Sequence, residues 1–140
     1  MRNFAKIYNA MNNKIIIILS VLTAFLVTGC KETHNRAIDL AYRLTATAPD
    51  SALSVLNGIN PNNLGKAETA RYALVYTIAQ DKSGLDVDND SLLRTAYTYY
   101  NNREQDSLYS KCEYYMGKYY MLNDSTEQAN DCLQKAADVA

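Results

Sequence analysis

The chain has 140 residues, 48% hydrophobic and 21% charged, the balance of one ordinary globular domain rather than of a disordered or fibrous protein. Its formal charge of -1 conceals an asymmetry, because Arg2, Lys6 and Lys14 precede every acidic residue and leave 11 Lys and Arg against 15 Asp and Glu, a net -4, in the remainder. A mildly acidic remainder carries no electrostatic footprint for a phosphate backbone, which disfavours nucleic-acid binding by this portion.

From Ile15 to Val27 the sequence is uncharged and strongly apolar, with Lys14 before it and Thr28, Gly29 and Cys30 after it. A membrane-spanning helix wants about 20 apolar residues, whereas a signal peptide needs a basic start, a core of about 7–15 apolar residues and small residues at the cut. The second description fits. Val27-Thr28-Gly29-Cys30 resembles the lipobox of bacterial lipoproteins, in which the cysteine is acylated and becomes the first residue after cleavage. The resemblance implies a signal peptide over 1–29, a lipidated tether over 30–35 and membrane attachment through lipid on Cys30. Durable attachment needs more than one acyl chain, which such processing supplies. Lys31, standing where an Asp would retain the protein at the inner membrane, implies the outer membrane, with the face undetermined. Met11 offers a second start beside Met1.

After the polar run KETHN, apolar residues recur at helical spacing, as in Leu40, Leu44 and Ala48. Six helices are expected, near Arg36–Thr47, Asp50–Asn57, Gly65–Lys82, Asp90–Arg103, Asp106–Leu122 and Ser125–Val139. Pro49, Gly58 with Pro61, and Ser83-Gly84 punctuate them. Four segments open with Asp-Ser, at Ser51, Ser91, Ser107 and Ser125, and short oxygens there suit the free first-turn amides. The same four serines, each preceded by Asp and followed by a small or aliphatic residue, resemble the O-glycosylation acceptor of some Gram-negative exported proteins.

Short helices alternating with turns raise the question of repeats. Gly117, Tyr120, Ala129, Leu133 and Ala136 reproduce the G-x2-Y then A-x3-F spacing of the tetratricopeptide pattern, with Glu113 where the pattern prefers Trp. In that pattern Gly117 admits the partner helix, Tyr120 fills space between repeats, and the alanines hold the pair close. Ala52 with Leu56, and Leu93 with Ala96, echo it more weakly. Residues 36–140 thus resemble the helical-repeat domain of tetratricopeptide lipoproteins from Gram-negative bacteria. The implied fold is all-α, an α-solenoid of about three helix pairs. The last helix lacks a following polar-faced cover, so homo-oligomer contact through the C-terminal end, or a longer chain, is expected.

Catalytic chemistry finds little support. The only histidine, His34, falls in the expected tether with no companion ligands. Asp86, Asp88 and Asp90 mimic the start of a calcium loop, but Ser91 replaces its turning Gly and Tyr97 its bidentate Glu. Cys112 and Cys132 lie at different distances from the turn near Asp124, which disfavours a disulfide and favours two small buried residues. No phosphate loop or Ser-His-Asp set is present, and no metal or cofactor is expected. What remains is a surface. Solenoids bind through the concave face, and Lys111, Tyr114, Lys118 and Met121 form one helical stripe there by the resemblance, with Tyr72 and Tyr76 a similar stripe on the preceding first helix. The expectation is a non-enzymatic scaffold for a protein or peptide partner. The alternatives are the sensory portion of a longer signalling or transcription regulator, or a nutrient-uptake accessory lipoprotein. The tyrosines serve equally well as packing between helices.

Overall fold

A computed structural model describes residues 33–85, 90–104 and 106–139. The segment expected to be a signal peptide, Cys30 and the acidic positions Asp86 and Asp88 lie outside the described residues. Among the described residues there are six helices, α1 over 33–44, α2 Pro49–Asn57, α3 Lys66–Lys82, α4 Asp90–Tyr100, α5 Tyr109–Leu122 and α6 Thr126–Asp138, which from His34 onward form one compact unit. A short 3-10 turn, Pro61–Asn63, links α2 to α3. No strand occurs among the described residues, and none of the described helices is long and apolar enough to cross a membrane.

Helices adjacent in sequence pack on each other, α5 with α6 most extensively and α3 with α4 next, while α3 also touches α5. Two apolar clusters result. Ile38 and Ala41 of α1, Ala52 and Leu56 of α2, and Val75 and Ala79 of α3 form the first. Leu74 and Ile78 of α3, Leu93 and Ala96 of α4, Cys112 and Met116 of α5, and Cys132 of α6 form the second. Among the described residues α3 alone contributes buried side chains to both, with Tyr42 of α1 and Leu92 of α4 packed against both at their edges, so α3 is apolar on opposite faces. Thr77 Oγ1 donates to the Ala73 carbonyl at 3.0 Å and Glu68 Oε2 accepts from the Gly65 amide at 2.8 Å, while the buried Glu68 Oε1 has no hydrogen-bond partner. An Arg71–Asp39 ion pair ties α3 to α1.

The helix ends depart instructively from expectation. Pro49 opens α2 as its first residue, where a missing N–H costs nothing, as well as ending the helical stretch before it. Helix α1 reaches back to residue 33, so His34 is helical and half-buried rather than part of a free tether. The Asp-Ser pairs cap less than expected. Ala48 and Ser125 precede α2 and α6 without a side-chain cap bond, and α5 begins at Tyr109 after a turn in which Asp106 Oδ1 accepts from the Leu108 amide at 3.0 Å. Asp124 does a different job. It sits at φ 54° after α5, with the Ser125 amide bonded to the Tyr120 carbonyl at 2.9 Å, the closing bond of a Schellman turn. Gly84 makes the same turn after α3 at φ 71°, with Leu85 N–H donating to the Gln80 carbonyl at 3.0 Å.

Candidate binding groove

The C-terminal ends of α1 and α3 face the first half of α5 and the second half of α6 across an open groove of about 860 Å³. Tyr42, Ile78 and Tyr114 supply apolar and aromatic wall, and Leu133 reaches it from α6. Arg43, Lys82 and Lys111 also line it and are exposed, whereas no acidic side chain lines it among the described residues. Tyr114 is 45% exposed and meets the buried Tyr115 edge-to-face at 5.2 Å between centroids. Nearly half of Tyr114 is thus open to solvent at the groove wall.

Beneath the groove, Asp81 of α3 accepts from both the Lys118 ammonium and, at 3.4 Å, the Tyr115 hydroxyl. Burial and the nearby Asp81 carboxylate push the Tyr115 hydroxyl well above its ordinary range, so it stays a donor. Lys118 also lies 6.0 Å from the Tyr114 ring centroid and 5.8 Å from that of Tyr115, within cation–π range.

The expected stripe is therefore divided. Lys111 and Tyr114 line the groove; Lys118 is adjacent but engaged with Asp81; Met121, 60% exposed, lies outside the lining. Tyr72 and Tyr76 are not brought there. Tyr72 is 6% exposed in the α1–α3 cluster, and Tyr76 packs on it at 5.7 Å and donates to Asn57 Oδ1 at 3.1 Å. Sequence reading missed Tyr42, Arg43, Ile78 and Lys82, which α1 and α3 bring from far along the chain. Of the four serines, Ser51, Ser91 and Ser107 are exposed, while Ser125 is half-buried and donates to the Asn123 carbonyl at 3.2 Å.

Comparison with family models, curated proteins and solved structures finds no match. The groove is accordingly judged on its own geometry, and so is the second polar feature, a buried cluster where α4, α5 and α6 meet.

Glu113 is fully buried there, and neither carboxyl oxygen has a hydrogen-bond partner of ordinary geometry. Burial raises its pKa above the usual carboxylate range, with the Cys132 thiol, the Lys135 ammonium and the Tyr109 hydroxyl pulling the other way. Cys112 and Cys132 are free and buried, and burial pushes their thiols up to about 12 and about 11. A thiol held protonated is neither a nucleophile nor a metal ligand at neutral pH. Among the described residues no three His, Cys, Asp or Glu side chains converge on a metal-sized site. The cluster is closed to solvent, whereas the groove is open to it; a second, more polar concavity of about 650 Å³ is lined by Asn102, Arg103, Glu104 and Asp106.

Proposed function

We propose that this chain is a non-enzymatic scaffold, exported and held at the outer membrane by lipid on Cys30, whose paired helices present the groove to a peptide or protein partner. The groove carries this reading. It is concave, mostly apolar with a few convergent polar groups, and built from four helices rather than one, which is the character of recognition sites in helical assemblies. A tetratricopeptide-like organisation is supported by Gly117, where an added Cβ would lie 2.7 Å from Leu133 Cγ, the close approach that the motif's glycine provides. The α3–α5 contact, between the first helices of successive pairs, has the same sense. The lipobox resemblance supports the anchor and the compartment.

Selection of a displayed random-peptide library on the detergent-solubilised full chain tests the reading. Wild type is expected to enrich a family of related sequences, and Tyr114→Ala to lose that enrichment with helical circular dichroism unchanged. Absence of any enriched family, or an identical family with Tyr114→Ala, overturns it.

A further inference from the structure

The groove's cations point to the chemistry of its occupant. Arg43, Lys82 and Lys111 come from three different helices and line one concavity, yet none has an ion-pair partner among the described residues. Elsewhere in the domain Arg71, Lys118 and Lys135 are each paired to a carboxylate, while Lys66 and Arg103 carry no ion pair among the described residues; what sets the groove apart is the convergence of three such cations on one concavity. This portion of the chain is acidic overall, so the lack of a carboxylate in the lining is not a shortage of acids.

Arg43 and Lys82 stand in the last turns of α1 and α3, where a cation complements the negative end of the helix dipole and needs no ligand to explain it. Lys111 does not have that explanation. It occupies the first turn of α5, the positive end, in a turn that carries no acidic residue to balance it. Asp106, just before the helix, is turned to the Leu108 amide, and an anion entering the groove would offset the charge of Lys111 from the other side. Because the cations belong to separate elements, a ligand meeting all three must extend across the groove and carry more than one negative charge, while Tyr42, Ile78 and Tyr114 between them accept apolar side chains.

We infer that the groove takes an extended acidic peptide segment in which carboxylates alternate with apolar or aromatic side chains. The inference rests on the peptide-binding reading above and specifies its partner. Carboxylates reach Arg43, Lys82 and Lys111; an apolar side chain lies against the exposed part of Tyr114. Lys118, committed to Asp81, takes no part.

The test measures fluorescence anisotropy of labelled peptides on the detergent-solubilised full chain. Three peptides share length and apolar positions and carry Glu, Gln or Lys at the remaining positions. The acidic peptide is expected to bind at least about tenfold more tightly than the Gln peptide, the advantage shrinking as salt rises from about 0.05 to about 0.5 M. Arg43→Gln/Lys82→Gln/Lys111→Gln should remove that advantage while circular dichroism stays unchanged. Equal binding of the acidic and Gln peptides overturns the acidic assignment and leaves peptide binding intact; binding of none of the three overturns both. An acidic preference that survives the triple substitution places the site elsewhere and overturns the groove assignment.

Discussion

Glu113 sets a cost inside the domain that a single substitution reveals. Its carboxyl is taken fully out of water on α5, beside Tyr109 and Cys132, without well-formed donors to either oxygen. A buried acceptor left unsatisfied costs about 1–3 kcal/mol, more when charged. Because burial raises the folded-state pKa above the unfolded one, its favourable contribution is complete below the unfolded carboxyl value. That contribution is lost as pH rises through the folded value. Glu113→Met should therefore stabilise the domain at neutral pH by about 1–3 kcal/mol, and the gain should shrink below about pH 4.3, where the unfolded carboxyl also protonates. Urea titrations of both proteins from acid to neutral pH measure this. A gain independent of pH would show that packing, not ionisation, governs the position. The sequence exposed half of this feature: Glu113 breaks the repeat pattern at a position that prefers a large apolar ring. Its burial was not legible, since the residue that departs from a packing pattern is as easily solvated as enclosed.

Between α5 and α6, Gly117 is the position on which the helix separation depends. A Cβ there would meet Leu133 Cγ at 2.7 Å, Leu133 Cδ2 at 2.9 Å and the Ala129 carbonyl at 3.3 Å. The first two contacts are shorter than real Cβ atoms accept and the third is tight against backbone, so either Leu133 shifts or the helices part. Overpacking of this kind costs about 1–3 kcal/mol, against which Ala gains about 1 kcal/mol of helix propensity over Gly. Gly117→Ala should lower the melting temperature. In a Leu133→Ala background the clash largely disappears, and the same substitution should become neutral or mildly stabilising. A destabilisation unchanged in that background would mean that the carbonyl contact, not the side chain, sets the separation. This helix pair was readable because its spacing is local: small residues at 117, 129 and 136 and larger ones at 120 and 133 have only one consistent arrangement across a tight turn. Element limits were readable for the same reason, since Pro49, Gly58, Pro61 and Gly84 act on their neighbours. The Asp-Ser pairs misled because Asp serves turns of several kinds; Asp124 closes α5 in a left-handed conformation instead of opening α6.

At the scale of the whole molecule, legibility falls with sequence separation. The groove joins residues near 42, 78, 114 and 133, so nothing in one helix announces it. Lys111 and Tyr114 were found because they share a local stripe; Arg43 and Lys82 were not, because a cation at a helix end is unremarkable until another helix is placed beside it. Tyr72 and Tyr76 were assigned to a surface because a helix buried on two sides has the same apolar spacing as one with a sticky face. The proposed leader rests on local sequence alone, a basic start, a short apolar core and Thr28-Gly29-Cys30 within thirty residues, and lies outside the described residues. No helix among the described residues is long and apolar enough to cross a membrane, and the proposed attachment rests on lipid at Cys30. Removing the thiol proposed to accept that lipid tests it directly. A single chain gives only marginal binding and two or more give stable binding, so loss of Cys30 acylation should change partitioning almost completely. On fractionation, Cys30→Ser is expected to move the protein from the membrane to the soluble fraction, or to leave it as an uncleaved precursor of higher mass at the inner membrane. Wild-type mass at the outer membrane after Cys30→Ser would mean that another surface of the helical domain provides the attachment.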